Sequence, residues 1–453
     1  MSKPIISIIG AGLAGVEAAH VLAIRGFKVR LYEMKPQKYS PAHKHLGFAE
    51  LVCSNSFKAD RLSTAGGLLK AEMRVLGSLV LEVANYTKVP AGGALAVDRV
   101  AFSNEITRRI RSEPNIEIVS GEVTDFPKSH AIIATGPLTS DKFADAIKIK
   151  CGGFLSFYDA AAPIITAESI NMEKAFVATR YDKGEADYLN CPFTKGEYER
   201  FYEELINAEV ASLHDVDLSE NGKPNFYEGC MPVEVLAKRG IDSVRYGCMK
   251  PVGILYPEGH INLWGSANAG SSNQVHKRPY ANVQLRKENA TVTMFNLVGF
   301  QTNLKFGEQK RVFTLIPGLE NAEFVRYGVM HRNTFIDSPR LLDSAFMLKN
   351  SDNIYFAGQI TGVEGYMESA ASGIIAGLAM AARCSGENAI ELPDTTILGA
   401  LTRYISDKTV VAFQPMGANM GLLPPLTIQP PIKNKQERNT KLSERALRDL
   451  QKL

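Results

Sequence analysis

Apolar positions in this chain follow two rhythms. An almost unbroken apolar run, Ile5-Ile6-Ser7-Ile8-Ile9, predicts a buried strand. It leads into Gly10-Ala11-Gly12-Leu13-Ala14-Gly15, a helix-forming run, and a second strand closing on Leu31-Tyr32-Glu33. Helical spacing recurs at about 67–84 and 99–111, and short apolar runs at 116–119 and 131–134 read as further strands. Residues 36–65 are polar, irregular and too long for a simple connector, and loops of that kind are usually functional. From about 166 to 327 the strand–helix rhythm is lost. Short strands, turns and helices such as 195–208 there read as an inserted α+β domain. The first rhythm returns at Ile354-Tyr355-Phe356-Ala357-Gly358, followed by Gly362, Gly365 and a small-residue helix at 369–382.

The glycines of the first turn have separate tasks. Gly10 permits the tight turn, Gly12 lets backbone approach a pyrophosphate, and Gly15 lets the helix pack closely on the strand. The helix N-terminus then offers unpaired N–H groups and partial positive charge to phosphates. Glu33, eighteen residues after Gly15, stands where a carboxylate accepts hydrogen bonds from ribose hydroxyls. Two more strand-to-glycine units, Ala131–Gly136 and Asn353–Gly377, favour FAD over NAD. The predicted cofactor residues are Gly10, Ala11, Gly12, Leu13, Ala14, Gly15, Glu33, Thr135, Gly136, Gly358 and Gly362. Tyr366 joins them as a ring that stacks on the cofactor or, equally, as a core tyrosine. The expected fold is α/β: a discontinuous FAD-binding Rossmann-like domain of the glutathione-reductase type, 1–165 and 328–453, with 166–327 inserted as a substrate domain.

Composition narrows the class. With 453 residues, 45% hydrophobic and 22% charged, the chain reads as a soluble globular protein of two or three domains. No apolar run reaches about eighteen residues, so no membrane span is expected. Gly10 and Gly12 interrupt any signal-peptide core. The six cysteines show no CxxC spacing, which argues against a zinc site, a disulfide framework and a dithiol oxidoreductase. A cytoplasmic location with reduced thiols and no metal is the expectation. Of the net charge of +3, residues 433–452 hold seven basic and three acidic side chains, so this tail is +4 and the remainder −1. The tail reads as an amphipathic helix with Leu442, Ala446 and Leu450 as its seam; its basic face is either merely solvated or meets a polyanion.

Two cysteines stand in distinctive contexts: Cys53 in Phe48-Ala-Glu-Leu-Val-Cys53-Ser-Asn-Ser56, and Cys230 in Tyr227-Glu-Gly-Cys230-Met-Pro-Val-Glu234. On residue type alone, a buried structural thiol competes with a reactive one. The surrounding segments decide more. GAGLAGVEAA (10–19), FAELVCSNS (48–56), VPAGGALAVDR (89–99), RYDKGEADYLNCP (180–192), FYEGCMPVEV (226–235), QKRVFTLIPGLENAEFVRYGVMHRNTF (309–335) and FAGQITGVEGYMESAASG (356–373) resemble the folate- and FAD-dependent tRNA (uracil-5-)-methyltransferase family. The resemblance runs over nearly the whole chain.

That resemblance implies C5-methylation of a uridine in the tRNA T loop. The one-carbon donor is 5,10-methylenetetrahydrofolate, reduced FAD carries the methylene and supplies the reducing equivalents, and NADPH or NADH regenerates the flavin. Addition of a thiolate to C6 makes C5 nucleophilic. The cysteine matching Cys230 is implied to be that nucleophile. The one matching Cys53 is implied to be the base for the C5 proton or a protector of the flavin adduct, and the two roles are exchangeable. Lys238 and Arg239 are candidates to favour the Cys230 thiolate, and Glu50 and Glu234 are candidate proton acceptors. His331-Arg332-Asn333 follow a predicted strand and are candidates for flavin or folate contact. Arg180, Lys183, Arg286 and Lys305 are weaker candidates for phosphate contact, while Lys433, Lys435 and Arg438 carry the expected RNA contact of the basic tail. Two departures from the family pattern stand out: an insertion at about 257–276 holding the sole tryptophan, Trp264, and Cys248 at a usual proline position. The insertion leaves ribosomal RNA as an alternative target.

Overall fold

The apolar runs from the two ends of the chain meet in one sheet. The computed structural model describes residues 3–153, 155–182, 187–211, 231–256, 278–410, 413–427 and 432–453. Strands β1 (Ile6–Ile9), β2 (Val29–Glu33), β6 (Ile116–Ser120), β7 (Ala131–Ile133) and β16 (Ile354–Phe356) form a parallel sheet ordered β16-β7-β1-β2-β6. Strands β1, β7 and β16 are buried throughout, as apolar runs inside a parallel sheet should be. A smaller antiparallel sheet joins β3 (Ser56–Ala59), β4 (Lys88–Val89) and β5 (Ala94–Val97), so part of the irregular 36–65 stretch is a strand.

Helices α1 (Leu13–Ile24), α2 (Ala65–Val75), α3 (Leu79–Tyr86), α4 (Arg99–Ser112) and α5 (Asp141–Cys151) belong to the first part of this domain. The single helix expected at 67–84 is two. Gly77 turns the chain at φ +78°, and the Ser78 side chain accepts the N–H of Leu81 to start α3. Glu17, buried on α1, completes the cap by accepting the N–H groups of Leu79 and Val80, both at 3.0 Å, and a hydrogen bond from the Ser78 hydroxyl.

Beyond the parallel sheet the chain makes a two-stranded antiparallel ribbon, β8 (Leu155–Ala160) with β15 (Met330–Phe335). Between them, β9 (Ile164–Thr166), β10 (Phe176–Val177), β11 (Tyr188–Phe193), β12 (Ala281–Lys287), β13 (Met294–Leu297) and β14 (Phe324–Arg326) make an antiparallel sheet ordered β10-β11-β12-β13-β9-β14. Helices α6 (Lys195–Asn207), α7 (Val233–Ala237), α8 (Ile241–Tyr246) and α9 (Phe306–Phe313) share its core, which includes Phe193, Tyr198, Phe201, Leu285 and Phe313.

The chain then returns through α10 (Ser338–Leu341), α11 (Tyr366–Ser385), α12 (Ile397–Ser406) and α13 (Lys435–Leu450). Helix α11 is buried on almost every face because it lies against α1. A side chain at Gly373 would overlap the Ala14 carbonyl oxygen, and one at Gly377 would press on Val21. No helix among the described residues is long and apolar enough to cross a membrane. The tail helix α13 buries the seam Leu442, Ala446 and Leu450, and it is tied down by Asn439 Nδ2 to Ser63 O (3.0 Å) and Ser443 Oγ to Leu62 O (2.6 Å). Lys433, Lys435 and Arg438 remain exposed.

Candidate active site

The first turn is built as its glycines require. Gly10 has φ +103°, and a Cβ on it would lie 2.6 Å from Ala134 O. A Cβ on Gly15 would overlap the Gly10 carbonyl oxygen, whereas Gly12 has open space within 4 Å. The N-terminus of α1 carries no side-chain cap, which leaves its N–H groups for a ligand. Glu33, at the end of β2, accepts from the N–H groups of Ala11 and Lys35, each at 3.1 Å. These donors hold its carboxylate beside the turn.

A cavity runs from this turn across the sheet ends. Gly10 to Ala14, Glu33, Thr135, Gly136, Gly358 and Tyr366 all line it. Gly15 and Gly362 do not: Gly15 serves helix–strand packing, and Gly362 (φ +82°) shapes a turn beneath Phe413. Lys35, His43 and Glu50 also line the cavity, and no motif had singled out the first two. His43 lies in the long polar loop and Lys35 immediately precedes it. Lys35 donates to the carbonyls of His45 (3.0 Å) and Gly47 (2.6 Å) and stands 3.7 Å from Glu50. Glu50 Oε2 is buried without a hydrogen-bond partner. The open approach at Gly12, the uncapped helix end and the carboxylate at the strand end fit a dinucleotide.

Cys53 adjoins two residues of this cavity lining. Val52 and Tyr366 line the cavity, and Cys53 Sγ lies 3.0 Å from Tyr366 Oη. The N–H groups of Cys53 (2.9 Å) and Ser54 (3.2 Å) both donate to that same oxygen. With both lone pairs engaged, the phenol proton is left to point at sulfur, a hydrogen bond that favours the thiolate. Burial, and then the nearby Cys53, push the Tyr366 phenol well above its usual range, so it remains a donor. Tyr366→Phe is therefore expected to slow alkylation of Cys53 by iodoacetamide at neutral pH by roughly tenfold, followed by peptide mass spectrometry.

Three guanidinium groups and one carboxylate hold the Cys53 loop. Arg99 donates to Leu51 O (2.7 Å) and Val52 O (3.1 Å) while pairing with Glu288 at 2.7 Å. Arg286 reaches Asn55 Oδ1 and Ser54 Oγ, both at 2.9 Å. Arg326 donates to Val52 O at 2.9 Å, and its Nε and Nη2 are buried without partners. Burial and the neighbouring Arg99 push Arg326 down to about 10. The positive excess again favours a thiolate at Cys53. Arg99, Glu288 and Arg326 went unnoticed in the sequence because their partners lie far away along the chain.

Other expectations change. Glu234 is no free base: it is buried and accepts from Thr302 Oγ1 (2.8 Å) and the N–H of Asn303 (2.7 Å). Arg180 spends its donors on Lys250 O, Val252 O and Gln284, and Arg286 is committed to the Cys53 loop, so neither is a free phosphate contact. Lys305 is exposed and paired with Glu209 at 2.5 Å. His331, Arg332 and Asn333 follow β14 and themselves lie within β15. Burial pushes the Cys248 thiol up to about 12, as suits a packing residue. Cys230, Lys183 and the 257–276 insertion with Trp264 lie outside the described residues. No cluster suited to a metal ion occurs among the described residues.

Residues 5–388 match the family model described as glucose inhibited division protein A. The chain is 53% identical over 447 residues to the methylenetetrahydrofolate–tRNA-(uracil-5-)-methyltransferase TrmFO of Acetivibrio thermocellus, covering 98% of this chain and 97% of that protein. It is 52% identical to the protein of the same name from Streptococcus sanguinis, covering 100% and 99%. The chain belongs to this family of methyltransferases. The GidA structure from Aquifex aeolicus shares the fold at TM-score 0.68 and 16% identity, covering 99% of this chain and 72% of that one.

Proposed function

We propose that the protein transfers a one-carbon unit from 5,10-methylenetetrahydrofolate to C5 of the T-loop uridine of tRNA in the cytoplasm. FAD would be held in the cavity, with NADPH or NADH as reductant. The observation that carries the reading is a hydrogen-bonded cysteine, Cys53, adjoining the lining of a dinucleotide-type cavity. When bound, FAD supplies the carrier for the methylene group and the electrons that reduce it to methyl. Glu33 would hold the ribose and the N-terminus of α1 the pyrophosphate. Cys53, kept as thiolate by Tyr366 and the arginines, takes the C5 proton or shields the cofactor. Cys230 adds to C6 so that C5 becomes nucleophilic. The target base leaves its stack to reach them.

Incubation with methylenetetrahydrofolate, NADPH and unmodified transcripts tests the reading. 5-Methyluridine in tRNA is expected by nucleoside mass spectrometry. Product only in ribosomal RNA would overturn the target. Product in neither would overturn the methyl-transfer reading, leaving a flavin- and RNA-binding protein.

The exposed basic end of α13 is proposed to meet RNA phosphates. Replacing Lys433, Lys435 and Arg438 together by alanine is expected to lower the slope of log binding constant against log salt by about two to three. Filter binding at several salt concentrations measures it.

A further inference from the structure

Three aromatic rings stand in a ladder at the edge of the six-stranded sheet. Phe324 lies on the edge strand β14, Tyr327 just beyond it, and Phe306 opens α9. Phe324 and Tyr327 have centroids 5.0 Å apart and planes 9° apart, and Tyr327 and Phe306 are 4.9 Å and 16° apart. These are the closest and most nearly parallel ring pairs among the described residues. Most described core pairs are tilted or edge-on, as with Phe300 and Phe313 at 81°, and the one stacked pair among them, Tyr198 with Tyr202, is wider at 6.4 Å and 26°.

The ladder ends in the open. Phe306 is 55% exposed, although packing alone would favour covering a ring of that size. Lys305, paired with Glu209, precedes it, and Lys310, exposed, follows one helical turn later on the same face. The ladder is also close to the chemistry: Arg326, between two of its rungs in sequence, donates to Val52 O next to Cys53.

An aromatic face backed by parallel rings, with the exposed Lys310 beside it, matches one ligand class: an unpaired nucleobase with its phosphate. Resting on the RNA-substrate reading above, we propose that Phe306, supported by Tyr327 and Phe324, stacks an unpaired base of the RNA. Lys310 meets the adjoining phosphate. Stacking of this kind needs a π-face but no base identity, so the platform orients the loop and leaves the choice of uridine to the catalytic site.

Fluorescence anisotropy of the FAD-loaded full chain with labelled, unmodified tRNA transcript tests it. Phe306→Ala is expected to weaken binding by roughly five- to hundredfold at fixed salt. Its salt slope should be unchanged, because no phosphate contact is lost. Phe306→Trp should bind within about twofold of the unaltered protein, and both variants should keep their flavin content. Unchanged binding by Phe306→Ala overturns the platform while leaving the function reading intact. A loss accompanied by altered oligomeric state on size-exclusion chromatography also overturns it, since the ring would then serve a protein interface. If the unaltered protein binds no RNA, the function reading falls and takes the platform with it.

Discussion

A Cys53→Ser protein is expected to keep its fold and cofactor and to lose nearly all methyl transfer. Serine places an oxygen where Sγ stands 3.0 Å from Tyr366 Oη, so the loop retains a hydrogen bond there. Arg99, Arg286 and Arg326 hold the loop mainly by its backbone carbonyls and by Ser54 and Asn55, none of which changes. What disappears is an ionisable thiol: a serine hydroxyl does not deprotonate near neutral pH, whatever charge surrounds it. A lost proton acceptor lowers turnover by roughly 10²- to 10⁴-fold. Methyluridine formed per flavin measures the loss, and gel-shifted protein–RNA adduct separates the two cysteines. The adduct should persist in Cys53→Ser and vanish in Cys230→Ala. The opposite pattern would exchange their roles.

The second large effect is expected from Gly15→Val. Any Cβ there overlaps the Gly10 carbonyl oxygen, which is backbone and cannot swing aside. Relief requires α1 to move away from β1. That movement also disturbs the close contact of Gly373 on α11 with Ala14. The expected destabilisation is about 3 kcal/mol or more. Because α1 also presents its N-terminus to the cavity, flavin should be lost along with stability. A lowered melting temperature together with a reduced flavin-to-protein absorbance ratio would bear this out. A variant with full flavin content would mean that the turn is not the seat of the pyrophosphate. Gly12→Ala provides the contrast, since a methyl group there meets nothing within 4 Å of the protein and affects only a bound ligand.

The nucleotide half of the fold was legible because its signals are local. Strand, glycine turn, helix and terminal acid fall within Ile6–Glu33, and the chain there has one low-energy arrangement. The break between α2 and α3 was also local, and Gly77 followed by Ser78 was a readable stop and start. Apolar spacing on both sides masked it. The surroundings of Cys53 are different in kind. Tyr366 lies 313 residues away in sequence, and Arg326 lies 274 residues from the Val52 carbonyl it holds. No periodicity encodes such pairs, so only the folded chain reveals that a tyrosine of α11 serves the thiol. Glu234 misled for a related reason: an acid near a cysteine in sequence looks catalytic until Thr302 and Asn303 claim both its oxygens.

The last strand of the parallel sheet, Ile354–Phe356, has a consequence for the newborn chain. Translation proceeds from the N-terminus, so the Gly10 turn leaves the ribosome early, with neither Gly358 nor Tyr366 yet made. The whole six-stranded sheet is synthesised in between. Until it has been threaded out and folded, the first strands lack the β16 edge of their sheet. A nascent or prematurely terminated polypeptide thus has only half a seat for a dinucleotide. On the proposed function, cofactor loading is expected to wait until β16 has joined the sheet beside β7.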